Sequence, residues 1–157
     1  MNEEVKYISY EEAISVYAKM IDASDGGFDG VRDEGGIRAA LEFVQNDMYY
    51  PNFSDKLCSL VYKFCSGHYF NDGNKRIALT LGAYFLYQNS YFWQATIFMR
   101  QMESIVYHVA ASNIDQDLLH RIMTCFMNGE DYDEELKIDI ANAMSKGELG
   151  VRGEDYE

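Results

Sequence analysis

One nine-residue stretch, HYFNDGNKR from His68 to Arg76, concentrates groups suited to handling phosphate. Histidine is the side chain whose ordinary range lies near neutrality, which makes His68 a natural base for taking the proton of an attacking hydroxyl. Asp72 is a hard oxygen ligand and suits Mg2+ that is shared with phosphate oxygens. Gly73 lets the backbone turn tightly and come close to a ligand. The apolar pattern that follows places a helix start near Asn74. A helix N-terminus carries unpartnered N–H groups and partial positive charge, so the Gly73 backbone and Asn74 open an anion nest. Lys75 and Arg76 fall in the first helical turn, the unfavourable end for cations, where each costs about 0.3–1 kcal/mol. A phosphate held between them and the helix end reverses that cost. Base, metal ligand and phosphate cradle are the parts that phosphoryl or nucleotidyl transfer uses. Phe70, among them, points into the core and anchors the loop. The plain alternative is a polar connection between helices with an Asn/Gly turn. His68 alone fits that alternative, as do Lys75 and Arg76 alone, but the combination at this spacing favours a site. No GxxxxGK(S/T) run occurs, so the stretch is not the usual P-loop.

The elements around the stretch read as helices almost throughout. Ser9 and Glu12 have capping-box spacing at the head of SYEEAISVYAKMIDA, where Ala13, Tyr17, Met20 and Ile21 form an apolar stripe. The Gly/Asp-rich SDGGFDGVRDEGG breaks that helix and fits either a loop or a short hairpin. A second helix is expected over IRAALEFVQNDM, stopped before Pro51. Ser54 is a candidate cap for SDKLCSLVYKFCSG, which Gly67 ends. KRIALTLGAYFLYQNS is apolar nearly all round, the pattern of a central buried helix directly after the motif. FMRQMESIVYHVAAS and DQDLLHRIMTCFMNG read as a further helix pair, and SYFWQAT has the best strand propensity of the chain.

The chain has 157 residues and 48% hydrophobic content, enough for one domain with its own core. The formal net charge of −13 argues against binding nucleic acid through its phosphates and favours a basic partner or solubility. No apolar run is long enough to span a membrane. The acidic start MNEEVKYISYEE lacks an apolar signal region, so a cytoplasmic protein is expected. Cys58, Cys65 and Cys125 lack CxxC spacing and read as buried free thiols.

HYFNDGNKR resembles the Fic/Doc motif, roughly H-x-F-x-D/E-G/A-N-G/K-R, with His68, Phe70, Asp72, Gly73, Asn74, Lys75 and Arg76 in place. VRDEGGIRAALEFVQND resembles the segment upstream of that motif in Doc (death-on-curing) toxins, and the similarity covers roughly residues 5–125. Two departures from the Fic pattern point to the Doc branch. Lys75 stands where Fic AMP-transferases usually have glycine, and Leu79 stands where they carry a second arginine. In Fic proteins that arginine meets the nucleotide's outer phosphates.

The resemblance implies an all-α Fic/Doc-type bundle over 1–127, with room for one short β-hairpin flap, and leaves an acidic extension over 128–157. That extension lies outside the resemblance; EELKIDIANAMSKG is expected as a helix ending at Gly147 and then disorder, with a frayed acidic tail as the alternative. The resemblance further implies transfer of the γ-phosphoryl group of ATP, with Mg2+, to a protein hydroxyl. In Doc the acceptor is a threonine of elongation factor Tu, and its modification stops translation. His68 would be the base and Asp72 the Mg2+ ligand. Gly73 and Asn74 would line the phosphate nest, and Lys75 and Arg76 would hold phosphates. The stretch Gly26–Arg32 would lie near the site as a docking flap or be a plain surface loop. Arg38 is either an added phosphate contact or part of a solvated helix face. No inhibitory Ser/Thr-xxx-Glu-Gly/Asn motif of the Fic kind is present, which favours inhibition by a separate antitoxin. The other readings are a Fic-type AMP-transferase and a noncatalytic Fic-fold binding module.

Overall fold

The computed structural model describes residues 4–23 and 30–155, with side chains as far as Lys146. Among these residues the chain forms seven α-helices: α1 Tyr10–Ala23, α2 Glu34–Phe43, α3 Phe53–Ser66, α4 Asn74–Gln88, α5 Phe92–Ala110, α6 Gln116–Met127 and α7 Glu134–Asp155. The expected hairpin reduces, among the described residues, to one antiparallel bridge between Val31 and Phe70. The fold is the all-α bundle that the sequence implies. α4 runs through its middle and packs on α1, α3 and α5. Ile77, Ala78, Leu79, Leu81, Phe85 and Leu86 of α4 are buried, as a helix apolar on several faces requires.

Local chemistry sets most helix ends. The Ser9–Glu12 capping box is formed in both directions, at 3.2 and 3.1 Å. The hydroxyl of Tyr84 on α4 also donates to Glu12 at 2.7 Å, so the box ties α1 to the central helix. α2 begins at Glu34, ahead of the expected Ile37, because the Asp33 carboxylate accepts the Gly36 N–H at 2.8 Å. It ends at Phe43 and not at Met48. The Asn46 side chain accepts the N–H groups of Met48 and Tyr49, at 3.0 and 3.2 Å, and turns the backbone away from the helix. α3 is capped two residues earlier than the expected Ser54: the Asn52 N–H donates to Asp55 at 2.9 Å, and the helix opens at Phe53. Gly67 closes it, donating to the Lys63 carbonyl at 2.8 Å.

SYFWQAT is not a strand. It supplies the start of α5, where Phe98, Met102, Val106 and Val109 follow at helical period into the core. Strand propensity is a preference for a pleated, half-buried surface, and among the described residues no neighbouring strand offers one here. α7 buries Leu136, Ile140 and Ala143 and packs on α5 and α6. It runs past Gly147 to Asp155, since an internal glycine costs a helix about 1 kcal/mol but ends it only where it takes up a terminating turn. Lys56 is buried within α3, where it donates to the Val44 carbonyl at 3.1 Å and to Asp47 at 2.8 Å. Burial pulls its pKa down, but the hydrogen bond with Asp47 and the neighbouring Tyr7 outweigh it and leave the ammonium raised. No helix among the described residues is long and apolar enough to cross a membrane.

Candidate active site

The motif occupies the connection between α3 and α4, and three anchors shape it. The first is Tyr69. Its ring turns inward, edge-on to Phe64 with centroids 5.3 Å apart. A Cβ at Gly67 would lie 2.3 Å from that ring and one at Gly36 2.6 Å, so both positions need glycine. The Tyr69 carbonyl accepts the N–H groups of Arg32 and Asp33, at 2.8 and 3.0 Å, and the Asn71 N–H donates to the Gly30 carbonyl at 3.0 Å. The described part of the expected flap, Gly30–Arg32, therefore lies along the motif loop; its residues 26–29 fall outside the described residues.

The second anchor is Phe70. It is buried and lies flat on Tyr17 of α1, with centroids 4.0 Å apart and planes 17° from parallel. The third is Asn74, whose side-chain oxygen accepts the Phe70 N–H at 3.1 Å and whose NH2 donates to the Phe70 carbonyl at 3.0 Å. The sequence reading puts Asn74 in the phosphate nest. Its side chain closes the loop instead, so a nest role falls to its backbone N–H.

The remaining residues are presented on this frame. Gly73 caps α4 in the left-handed region, φ +79°, which favours glycine. A Cβ there would meet the Met20 methyl at 3.1 Å and the Arg76 guanidinium at 3.6 Å, so Arg76 folds back over the helix start. The Gly73 N–H donates to the Asp72 carboxylate at 2.8 Å, and the Asp72 carbonyl accepts the Tyr17 hydroxyl at 2.8 Å. His68 is exposed at the loop entrance with φ +52°. That backbone state costs an L-residue about 1–2 kcal/mol, strain of the kind found at functional positions. The Lys75 ammonium lies 5.6 Å over the Tyr107 ring of α5. His68, Asp72, Gly73, Asn74, Lys75 and Arg76 thus share one loop and the first turn of one helix.

Leu79, one turn further on, is 6% exposed and faces the core. Arg38 stacks 3.8 Å over Tyr10 and lies 3.5 Å from Glu34, so it belongs to the α1–α2 surface. Among the described residues no three His, Cys, Asp or Glu side chains gather into a metal cage. The single carboxylate of Asp72 fits Mg2+ that takes its other ligands from phosphate and water. Burial pushes the Cys65 thiol up to about 11 and Cys58 up to about 12, so neither is a nucleophile at neutral pH. A groove of about 730 Å³ lined by Asn52, Phe53, Lys56 and Asn89 contains none of the motif residues. Its polar groups are structural ties, such as the Asn89 amide paired with the backbone of Lys6.

Sequence reasoning missed Tyr17 and Tyr107 as neighbours of the site. Tyr17 reads only as one member of an apolar stripe, and its partner is 55 positions away.

A family model described as the Fic/DOC family matches residues 7–86, a span that holds the whole motif. The chain is also 35% identical over 88 residues to the protein kinase doc of Escherichia phage P1, an alignment covering 54% of this chain and 69% of that protein.

Proposed function

The chain belongs to the Fic/DOC family, and from that premise we propose that it is a Doc-like toxin that moves the γ-phosphoryl group of ATP onto a protein hydroxyl. The acceptor by resemblance is a threonine of elongation factor Tu, so translation stops in the cytoplasm. The observation that carries this reading is the α3–α4 junction. An exposed histidine on a strained backbone, a carboxylate, and two cations at a glycine-opened helix start lie within nine residues.

In this reading His68 takes the proton of the acceptor hydroxyl. The acceptor oxygen then forms a bond to the γ-phosphorus, the bond from that phosphorus to the β–γ bridging oxygen breaks, and ADP leaves. Arg76 and Lys75, with the backbone N–H groups at the start of α4, carry the phosphate charge. Asp72 would hold Mg2+, which neutralises charge on the nucleotide's phosphates. The buried Leu79 supports γ-transfer, because the position of the second Fic arginine opens into the core here and not toward a ligand. The family domain ends near 127, and residues 128–157 form an added extension. A separate antitoxin restrains the enzyme.

This protein, given ATP and Mg2+ with purified elongation factor Tu in one reaction and with bacterial cytosolic proteins in another, tests the reading. A phosphothreonine on the factor, found by mass spectrometry, is the expected result. Phosphate on another cytosolic protein and not on the factor would reassign the target. An absence of phosphorylation on any protein would contradict the reading.

A further inference from the structure

Tyr17 is 2% exposed and lies on α1, outside the motif. We propose that it is a positioning residue for the transfer site, acting through its hydrogen bond to the Asp72 carbonyl. The inference rests on the function proposed above.

A buried tyrosine must find a partner for its hydroxyl, and a core offers many carbonyls. This one takes the carbonyl of the residue that offers the metal its carboxylate, at 2.8 Å. The peptide between Asp72 and Gly73 is planar, and in the trans form its C=O and N–H point in opposite directions. Fixing the Asp72 carbonyl therefore fixes the direction of the Gly73 N–H. That N–H donates to the Asp72 carboxylate at 2.8 Å, so one hydroxyl sets the peptide plane and the plane sets the carboxylate. The need for a hold is plain from Gly73, whose left-handed backbone is free to turn. The Tyr17 ring is itself held against the loop by its stack on Phe70, with centroids 4.0 Å apart.

Tyr17→Phe separates positioning from core filling, because the ring and its stack remain. Three measurements on the full chain decide the matter: transfer kinetics, the Mg2+ concentration for half-maximal rate, and the Gly73 backbone amide resonance in metal-free, ATP-free protein. Loss of one hydrogen bond is expected to lower kcat roughly tenfold. The Mg2+ requirement should rise several-fold while the KM for the acceptor protein stays put. The Gly73 amide resonance should shift and broaden in the metal-free variant. Ile37→Val, a core change on α2 with a comparable loss of stability, should leave all three unaltered. A wild type that transfers phosphate beside a Tyr17→Phe that matches it in kcat, Mg2+ requirement and Gly73 resonance overturns the inference alone. A wild type that transfers nothing overturns the proposed function and this inference with it.

Discussion

The side-chain amide of Asn74 closes on both backbone polar groups of Phe70, accepting its N–H at 3.1 Å and donating to its carbonyl at 3.0 Å. The first residue of α4 thus reaches back across the loop that precedes it and makes loop and helix start one rigid piece. Tyr17 braces the same piece from the other side. A site built this way needs no deep cavity, since its geometry is held from behind.

Asn74→Ala should therefore cost both stability and activity. It strips two partly buried backbone groups of their partner, worth about 1–3 kcal/mol of folding free energy. Asn74→Asp, which keeps the acceptor and loses the donor, should fall between. Urea denaturation reads the first effect and a transfer assay the second. A wild-type midpoint for Asn74→Ala would mean that the closure contributes nothing.

Lys75 stands in contrast. It is exposed, with its ammonium over the Tyr107 ring, so Lys75→Ala should change stability by no more than about 0.5 kcal/mol. Its KM for ATP should rise and its transfer rate fall. Unchanged ATP kinetics would remove Lys75 from the phosphate site.

Leu79→Arg asks whether the second Fic arginine can simply be restored. Position 79 is 6% exposed and surrounded by core, so the guanidinium would be buried without a partner, at about 3–5 kcal/mol. We expect a strongly destabilised protein with no gain of AMP transfer. A stable variant that moves label from the α-phosphate of ATP would show that the position can reach the nucleotide.

The pattern of helices was legible in the sequence because their causes are local. Ser9 with Glu12, Gly67 after Cys65, and the start of α4 at Asn74 all follow from neighbours within four residues. Part of what was not legible depends on distant partners: nothing near Tyr17 in sequence reveals that its hydroxyl meets Asp72, 55 positions away. Other misses are local, because a short polar side chain has several backbone groups within reach: Asn74 turns back on Phe70, four residues away, and Asn46 takes the N–H groups of Met48 and Tyr49. The start of α5 was misread for a related reason: the strand preference of Tyr91–Trp93 is weak and yields to the core that Phe98 and Met102 join. The burial of Lys56 likewise rests on partners outside its own helix, Asp47 and Val44.

The capping box of α1 gives a pH prediction. The hydrogen bond from Tyr84, with those from Ser9, holds the Glu12 carboxyl below its ordinary value of 4.5. A depressed folded-state pKa contributes stability that is complete above the unfolded value and is lost as pH falls through the folded one. Unfolding free energy should therefore drop on acidification below about pH 4.5, and Glu12→Gln should flatten that limb. Parallel pH profiles for the two proteins would assign the acid limb elsewhere.

The central claim is γ-phosphoryl transfer with His68 as the base, and position-specific labelling tests it most directly. Wild type and His68→Ala are each given Mg2+, bacterial cytosolic proteins and ATP labelled at either the γ- or the α-phosphate. Label should enter protein from γ alone, and His68→Ala should transfer it roughly 10²–10⁴-fold more slowly with an unaltered unfolding midpoint. Protein label from the α-phosphate, or full-rate transfer without His68, would contradict it.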